Sequence, residues 1–241
     1  AAVTLKTAMP KSQVLYFPCA NINQATRALK AFIATEEPHE IFAVNRVYFA
    51  DMLGEKPSTG IPAWTVIIVN RGADANEISY KQQDMAAIAK SLGGKLIPGI
   101  KGVKNAAETI LSEIKSPTGS ILHRGDRIWS PVVTIATAQQ IQACAGLFGK
   151  NSGAILMPLQ AGGCFYYQPD LRCEEAEIPK VRKQYISICA KLIKAGVVFP
   201  RPSALIAKQL SGQYPDNFKL LKAIKKAVDP RNIMNPGKLG L

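Results

Sequence analysis

Two hydrophobic patterns alternate along the chain. One of them predicts strands and the other predicts helices. The clearest strand is 64–70, WTVIIVN, whose continuous apolar character predicts burial of both faces. A shorter β-rich run at 13–17 precedes Asn21, and Gln24 follows three residues later, a spacing typical of a capped helix start. An edge strand is predicted at 2–6, before Pro10, and is followed by the strand at 13–17 and a helix that extends to about residue 35.

The same patterns divide the remaining chain into short strands and longer helices. Further strands are predicted at 96–97, 132–136, 154–159, 164–168 and 197–199, with a strand leading into a short helix at 41–53. Further helices are predicted at 76–91, 106–114, 139–148, 174–195 and 217–228. This order favours an α+β fold with a mostly antiparallel sheet covered by helices. Two βαβ-like halves, 10–115 and 130–200, favour a duplicated ferredoxin-like arrangement.

Composition indicates how large a core the chain can bury and in which cellular compartment it occurs. With 241 residues, 47% of them hydrophobic, the chain can bury a large core. No apolar run reaches the roughly 20 residues of a membrane span, and the first residues lack the pattern of a signal peptide. Five widely spaced cysteines are typical of reduced thiols, which predicts a cytoplasmic protein.

The chain is strongly basic, with a formal net charge of +13. Its densest lysine cluster, at 219–226, recurs at helical spacing beside apolar residues, which favours the solvated face of an amphipathic helix. Docking onto an acidic partner domain is the alternative. A nucleic-acid partner ranks third, because helix-turn-helix, zinc-finger and aromatic RNA-binding signatures are missing from the sequence.

The most specific motif is at the C-terminus, where residues 229–238 read DPRNIMNPGK. Pro230 ends the preceding helix, and Pro236 followed by Gly237 is typical of a type II turn. Asparagine side chains at 232 and 235 can bond to nearby backbone. The pattern predicts a rigid knuckle after the last helix.

This motif closely resembles the end of FAD-linked oxidases of the vanillyl-alcohol-oxidase type, a superfamily that includes phenol-oxidising flavoenzymes and D-lactate and glycolate dehydrogenases. In that family the tail returns to the flavin-binding domain and lies beside the isoalloxazine ring. The resemblance implies FAD as cofactor, with Asn235, Pro236, Gly237 and Lys238 close to the flavin. It also implies that 1–10 ends a missing FAD-binding domain, that 11–200 is the substrate-binding or cap domain, and that 201–241 is a helical segment with the flavin-contacting tail.

A second segment, 196–207, reads GVVFPRPSALIA and resembles the phenol-oxidising members of that superfamily. There the arginine lies near the substrate's oxyanion, which makes Arg201 the candidate catalytic residue, a fixed cation between two prolines. Tyr166, Tyr167 and Gln168 lie where the family places pocket-lining positions. Side chains alternate along a strand, so at most one of the two tyrosines faces a pocket.

Other candidate chemistry is sparse. His123, in a polar loop with Asp126, is a further candidate substrate-binding residue. The lactate and glycolate branch binds a metal through histidines, which are missing from 159–165, so no metal site is predicted. The glycine pairs at 93–94 and 162–163 do not open helices, as a cradle for the FAD pyrophosphate requires.

The resemblance implies the substrate-binding half of an FAD-dependent oxidoreductase that passes hydride from a small organic substrate, a phenolic alcohol or hydroxy acid, to flavin. Its partner is an FAD-binding domain or subunit. The electron acceptor and a homo-oligomeric state are left open. Two alternatives remain: a non-catalytic relative, and a basic α+β binding module for an acidic protein or nucleic acid.

Overall fold

The computed structural model describes residues 11–53, 60–101, 103, 105–115 and 128–237. The strands are β1 (Lys11–Cys19), β2 (Glu40–Asn45), β3 (Trp64–Gly72), β4 (Ile128–Pro131), β5 (Thr134–Ala136), β6 (Ala154–Leu159) and β7 (Cys164–Cys173). The helices are α1 (Ile22–Ile33), α2 (Arg46–Leu53), α3 (Ala75–Ser91), α4 (Ala106–Lys115), α5 (Ala138–Cys144), α6 (Ile178–Lys194), α7 (Ala207–Gln213) and α8 (Pro215–Val228). None of these described helices has the length and hydrophobicity needed to cross a membrane.

The strands form one sheet in the order β1-β3-β2-β6-β7-β4, and β5 also pairs with β7. Every pairing between these strands is antiparallel, which confirms the predicted α+β fold with an antiparallel sheet and helices. The strand predicted at 132–136 is shorter than expected, because its first two residues lie between β4 and β5. Both strands keep one register against β7, with Pro131 opposite Asp170 and Thr134 opposite Tyr167.

Two predicted strands reduce to single antiparallel bridges at the sheet edges. Ile97 bridges Tyr16 on β1, and Val198 bridges Ile135 on β5. A proline follows closely after each bridge, at 98 and 200, and a proline has no N–H to extend the pairing.

Two predicted helices are also shorter than expected. The helix predicted at 139–148 ends at Cys144 and continues as a 3-10 turn, Ala145–Phe148. The helix predicted at 174–195 begins at Ile178, because Pro179 lies in its first turn, where a missing N–H costs nothing. The helix α7 was not predicted.

Hydrophobic clusters lie on both faces of the sheet. On β3, Val66 and Ile68 join the larger cluster under α1, α3, α5 and α6, whereas Ile67 and Val69 join the smaller cluster under α2 and α4. This confirms the predicted burial of both faces of that strand. Among the described residues, the smaller cluster takes only Ile155 from the strands β5, β6 and β7. Among the described elements, helices therefore cover both faces of the first half of the sheet, whereas on the second half α2 reaches only the part next to the junction.

The two halves of the sheet meet where β2 pairs with β6, with Ala43 opposite Leu156 and Val44 opposite Ile155. The Asn45 side chain extends this junction. Its Nδ2 donates to the Ser152 carbonyl at 2.7 Å, and its Oδ1 accepts from the Ala154 amide at 3.0 Å. One amide side chain thus continues the backbone ladder past the end of β2.

An ionic cluster closes the same junction. Arg172 on β7 pairs with Asp170 at 2.9 Å and with Asp51 of α2, so one guanidinium ties the second half of the sheet to a helix of the first half. Asp170 also accepts from the Gly153 amide at 2.6 Å. A Cβ at Gly153 would lie 2.5 Å from the Arg172 Nη2 atom, so only glycine fits there. Burial raises the pKa of Asp170, and the Arg172 contacts oppose that shift.

Replacing Arg172 with methionine is expected to destabilise the fold by about 3 kcal/mol, because the variant leaves the buried Asp170 carboxylate without its cation. Urea unfolding followed by circular dichroism measures the loss. Arg182→Met, at an exposed arginine of α6, is the control and should change the free energy of unfolding little. A loss of the same small size in both variants would show that the cluster does not hold the junction.

Candidate functional site

One face of the second half of the sheet, which the described helices leave largely uncovered, carries two of the polar residues predicted for a pocket. Tyr166 and Gln168 on β7 project from this face, and the Tyr166 hydroxyl donates to Gln168 Oε1 at 2.5 Å. Tyr166 lies between Ile135 of β5 and Met157 of β6, which are its partners in the sheet. The face is therefore an apolar strip with one paired phenol and amide at its centre, and we call it the open face.

The structure places Tyr167 on the other side of the sheet. It is buried in the larger hydrophobic cluster at 4% exposure, and its ring meets Phe148 edge to face, with centroids 6.2 Å apart. Burial raises its pKa. The alternation along the strand thus brings Tyr166 and Gln168 together and separates Tyr167 from them.

Arg201 belongs to the irregular segment that follows α6 and lies near the open face. Val198, which begins this segment, exchanges two backbone hydrogen bonds with Ile135, of 2.8 and 3.0 Å. Ser203 anchors the other end, since its Oγ accepts from the Tyr185 hydroxyl at 3.2 Å. Arg201 itself is exposed.

Two features of its surroundings shift the pKa of Tyr166. Burial raises it, and the positive charge of Arg201 acts in the opposite direction. The phenol therefore stays neutral at physiological pH, able to donate one hydrogen bond. The arginine is close enough for its charge to be felt at the hydroxyl.

The C-terminal tail forms the predicted rigid turn. Asn235 and Gly237 have left-handed backbones, with φ of +48° and +72°, and the second value is what a type II turn needs after Pro236. All three residues are exposed. Upstream, Asp229 fastens the turn by accepting from the amides of Ile233 and Met234, both at 2.9 Å.

Two predicted site residues, His123 and Lys238, lie outside the described residues. A cavity of about 320 Å³ occurs elsewhere, on the helix-covered side of the sheet, lined by Asn21, Asn45, Trp64, Phe148, Ser152 and Tyr167 among others. Tyr166, Gln168 and Arg201 are not in its wall. The predicted residues therefore gather on an open surface and not in this cavity.

Comparison with known proteins identifies the tail. Residues 207–239 match the family model described as FAD linked oxidases, C-terminal domain. This segment of the chain is therefore similar to the C-terminal domain of FAD-linked oxidases. The match confirms the predicted resemblance to FAD-linked oxidases, whose cofactor is FAD, and it covers α7, α8 and the fastened turn. No curated protein matches the sequence.

Two solved structures share the fold of the chain over most of its length. Two crystal forms of alkyldihydroxyacetonephosphate synthase align with 95% of this chain, at 16% and 15% identity and TM-scores of 0.55 and 0.53. A berberine bridge enzyme variant titled a reticuline dehydrogenase aligns with 94% of the chain and 55% of its own, at 12% identity and a TM-score of 0.47. The chain spans 44% and 45% of the two synthase chains.

The described residues offer different surfaces to the different parts of FAD. The exposed turn at 235–237 offers polar backbone and a fixed shape to a ring system. A pyrophosphate needs the free amides of a helix start in a glycine-rich loop. Gly93 follows the end of α3 and Gly162 precedes β7, so neither provides one. Among the described residues, these two glycines therefore do not form a pyrophosphate cradle, and the turn at 235–237 is the candidate for contact with the isoalloxazine.

Several residues of the open face and the tail were not predicted from the sequence. Sequence reasoning did not assign Ile135 and Met157 to the open face, although alternation from Tyr166 across an assumed register would have done so. It also missed the bond from Tyr166 to Gln168, and the role of Lys225 beside the tail. The spacing of Lys225 and Asp229, four residues apart on a helix, was an available signal.

Replacing Arg201 with glutamine is expected to raise the pKa of Tyr166 further, because the variant loses the cation that favours the phenolate. The measurement is an NMR titration with ring-labelled tyrosine, in which Tyr166→Phe assigns the signal among the seven tyrosines. Arg182→Gln is the control and should leave that signal's titration unchanged. An identical pKa in the Arg201 variant would place its guanidinium away from the open face.

Proposed function

We propose that this chain is the substrate-binding half of an FAD-dependent oxidoreductase of the vanillyl-alcohol-oxidase type. The observation that carries the proposal is the open face, where Tyr166, Gln168 and Arg201 gather on the one side of the sheet that described helices leave uncovered. The family match of 207–239 supports the flavin link. A separate FAD-binding domain or subunit would hold the pyrophosphate and most of the cofactor.

The proposed domain division follows the predicted one. The sheet and helices of 11–200 form the substrate-binding domain, and 201–241 form the helical segment with the flavin-contacting tail. Residues 1–10, outside the described part, would end the flavin domain. Duplication of a ferredoxin-like unit is supported by the strand order, since β1-β3-β2 with the Ile97 bridge parallels β5-β7-β6 with the Val198 bridge.

In this proposal FAD, when bound, accepts hydride from a substrate C–H bond. The residues of this chain bind and orient the substrate. Arg201 holds an anionic group, a phenolate or a carboxylate, and the prolines on either side limit its backbone freedom. The neutral Tyr166 phenol, held by Gln168, offers a fixed hydroxyl beside that anion. Ile135 and Met157 supply apolar surface that excludes water from the substrate.

The same proposal explains an apolar surface on α8. Leu220, Ile224 and Val228 recur at four-residue spacing and are 61%, 49% and 67% exposed. Phe218 is the buried residue of this helix, so α8 turns its apolar row outward. The row continues into the exposed Ile233 and Met234 of the tail. We take this row, the α8 docking face, as the surface that meets the flavin-binding domain.

The first experiment isolates the protein from its source and records its visible spectrum and the masses of its chains. A flavin band, with a companion chain or a longer parent chain, is the expected result. A colourless protein that also fails to bind added FAD would overturn the proposal. It would favour a non-catalytic relative or a basic binding module, and a steep loss of nucleic-acid binding with salt would select the latter.

Ile224→Asp is expected to weaken retention of FAD about tenfold, because it puts a charge into the α8 docking face. The measurement is the FAD dissociation constant of the flavoprotein, from flavin fluorescence. Ile178→Asp, at an exposed isoleucine in the first turn of α6, is the matched control and should leave that constant unchanged. Equal constants in both variants would show that another surface meets the flavin domain.

Arg201→Gln is expected to weaken binding of an anionic ligand about tenfold, since it removes one charge-assisted contact. Benzoate and pentafluorophenolate, both anionic at neutral pH, serve as probes, and the perturbation of the flavin absorption band reports their binding. Whichever probe loses affinity indicates whether a carboxylate or a phenolate occupies the site. Unchanged affinity for both probes would remove Arg201 from the substrate site, with Arg182→Gln as the control for charge alone.

A further inference from the structure

Asp229, which ends α8, holds a backbone loop closed. The residue is 7% exposed, although it lies next to a helix terminus at the surface. Its two carboxylate oxygens accept from the amides of Ile233 and Met234, one each, at 2.9 Å. Its own carbonyl accepts from the Asn232 amide at 3.0 Å, and Asn232 takes a left-handed φ of +50° to allow this. Three amides of the tail thus converge on one residue.

Lys225, one turn earlier on α8, completes the arrangement. Its ammonium group donates both to the Asp229 carboxylate and to the Met234 carbonyl. The two side chains in this ion pair are only 19% and 5% exposed, so solvent screens it less than a surface pair. The lysine therefore reaches across the loop and fixes the far end of the tail to the last turn of the helix.

The closed loop determines what the tail presents. With their amides turned inward to Asp229, Ile233 and Met234 expose their side chains, at 71% and 61%. The next residues, Asn235 and Gly237, follow at fixed left-handed angles. An interaction that only capped α8 would not need a bond from Lys225 to the Met234 carbonyl, nine residues away.

We infer that Lys225 and Asp229 are positioning residues, which fix the 233–237 turn in the geometry that the flavin-binding side meets. The inference rests on the proposed function for what the turn contacts, but the clamp itself is a property of this chain. The pKa of Asp229 is held below its usual range, first by the hydrogen bond from Lys225 and then by the two tail amides. The carboxylate is therefore charged, and the clamp closed, at neutral pH.

The test compares Lys225→Met, which keeps the aliphatic stem and removes the ammonium, with Asp229→Asn and with Lys222→Met. Lys222 is an exposed lysine of the same helix and serves as the control. NMR measures the hydrogen-exchange rates of the Ile233 and Met234 amides in this chain without added flavin. Loss of a bond to a charged group should speed their exchange roughly tenfold in the two clamp variants and not in the control.

A second measurement connects the clamp to flavin. In the flavoprotein, both clamp variants should retain FAD roughly tenfold more weakly, with the thermal unfolding of α8 and the sheet unchanged. Unchanged amide exchange would overturn the clamp, whatever the flavin does. Faster exchange with unchanged FAD retention would overturn the positioning role while leaving the proposed function intact. Failure of the proposed function would be recognised by a different result, because the unmodified protein would then carry no flavin.

Discussion

The pairing of β2 with β6 is the constraint on which the rest of this structure depends. It is short, and side chains extend it: Asn45 continues the ladder, and Arg172 joins Asp51 of the first half to Asp170 of the second. An isolated buried charge is costly, but a guanidinium between two carboxylates in hydrogen-bonding contact compensates much of that cost. The junction sets the angle between the two half-sheets, and therefore which parts of each face remain accessible.

Unequal cover on the two halves creates the candidate site. The helices α2 and α4 bury one face of the first half, whereas the same face of the second half keeps Tyr166, Gln168, Ile135 and Met157 within reach of solvent or of another domain. An apolar strip with one hydrogen-bonded polar pair is a poor surface to leave in water and a suitable lining for a ligand. The Val198 bridge holds the segment that carries Arg201 at the edge of this face. The arginine side chain therefore lies near the open face.

Local chemistry made much of the fold predictable. The apolar run of β3, the Asn21 cap and the glycines between β6 and β7 each act within a few residues, and the structure keeps all three. Two boundaries next to prolines were wrong. The helix predicted from 174 begins only at Ile178, just before Pro179, and the strand β4, which ends at Pro131, was not predicted.

The open face needed information that no local pattern contains. Alternation separates Tyr166 from Tyr167 without saying which of them faces the core, and that choice is made by what packs on each side. The Asp51 and Arg172 pair joins residues 121 positions apart, a separation at which the sequence carries no local signal. The tail was predictable only in part. Its prolines and glycine predict a turn, but the clamp that holds it depends on the Lys225 side chain reaching beyond its own helix.

The tail and the open face are rigid for different reasons, and together they suit a site completed by another domain. The face is held by the backbone ladder of the sheet, whereas the turn is held by one carboxylate and one ammonium group. Contacts that are fixed before association cost less entropy when a partner or ligand arrives. The apolar row of α8 offers surface area that a partner can bury, but apolar contacts do not fix the partner's orientation. The clamped turn beside it offers little surface area, but it fixes the positions of its hydrogen-bonding groups. In the proposed function, whichever of these two surfaces meets the flavin or the substrate would then be held by the chain's own hydrogen bonds before binding.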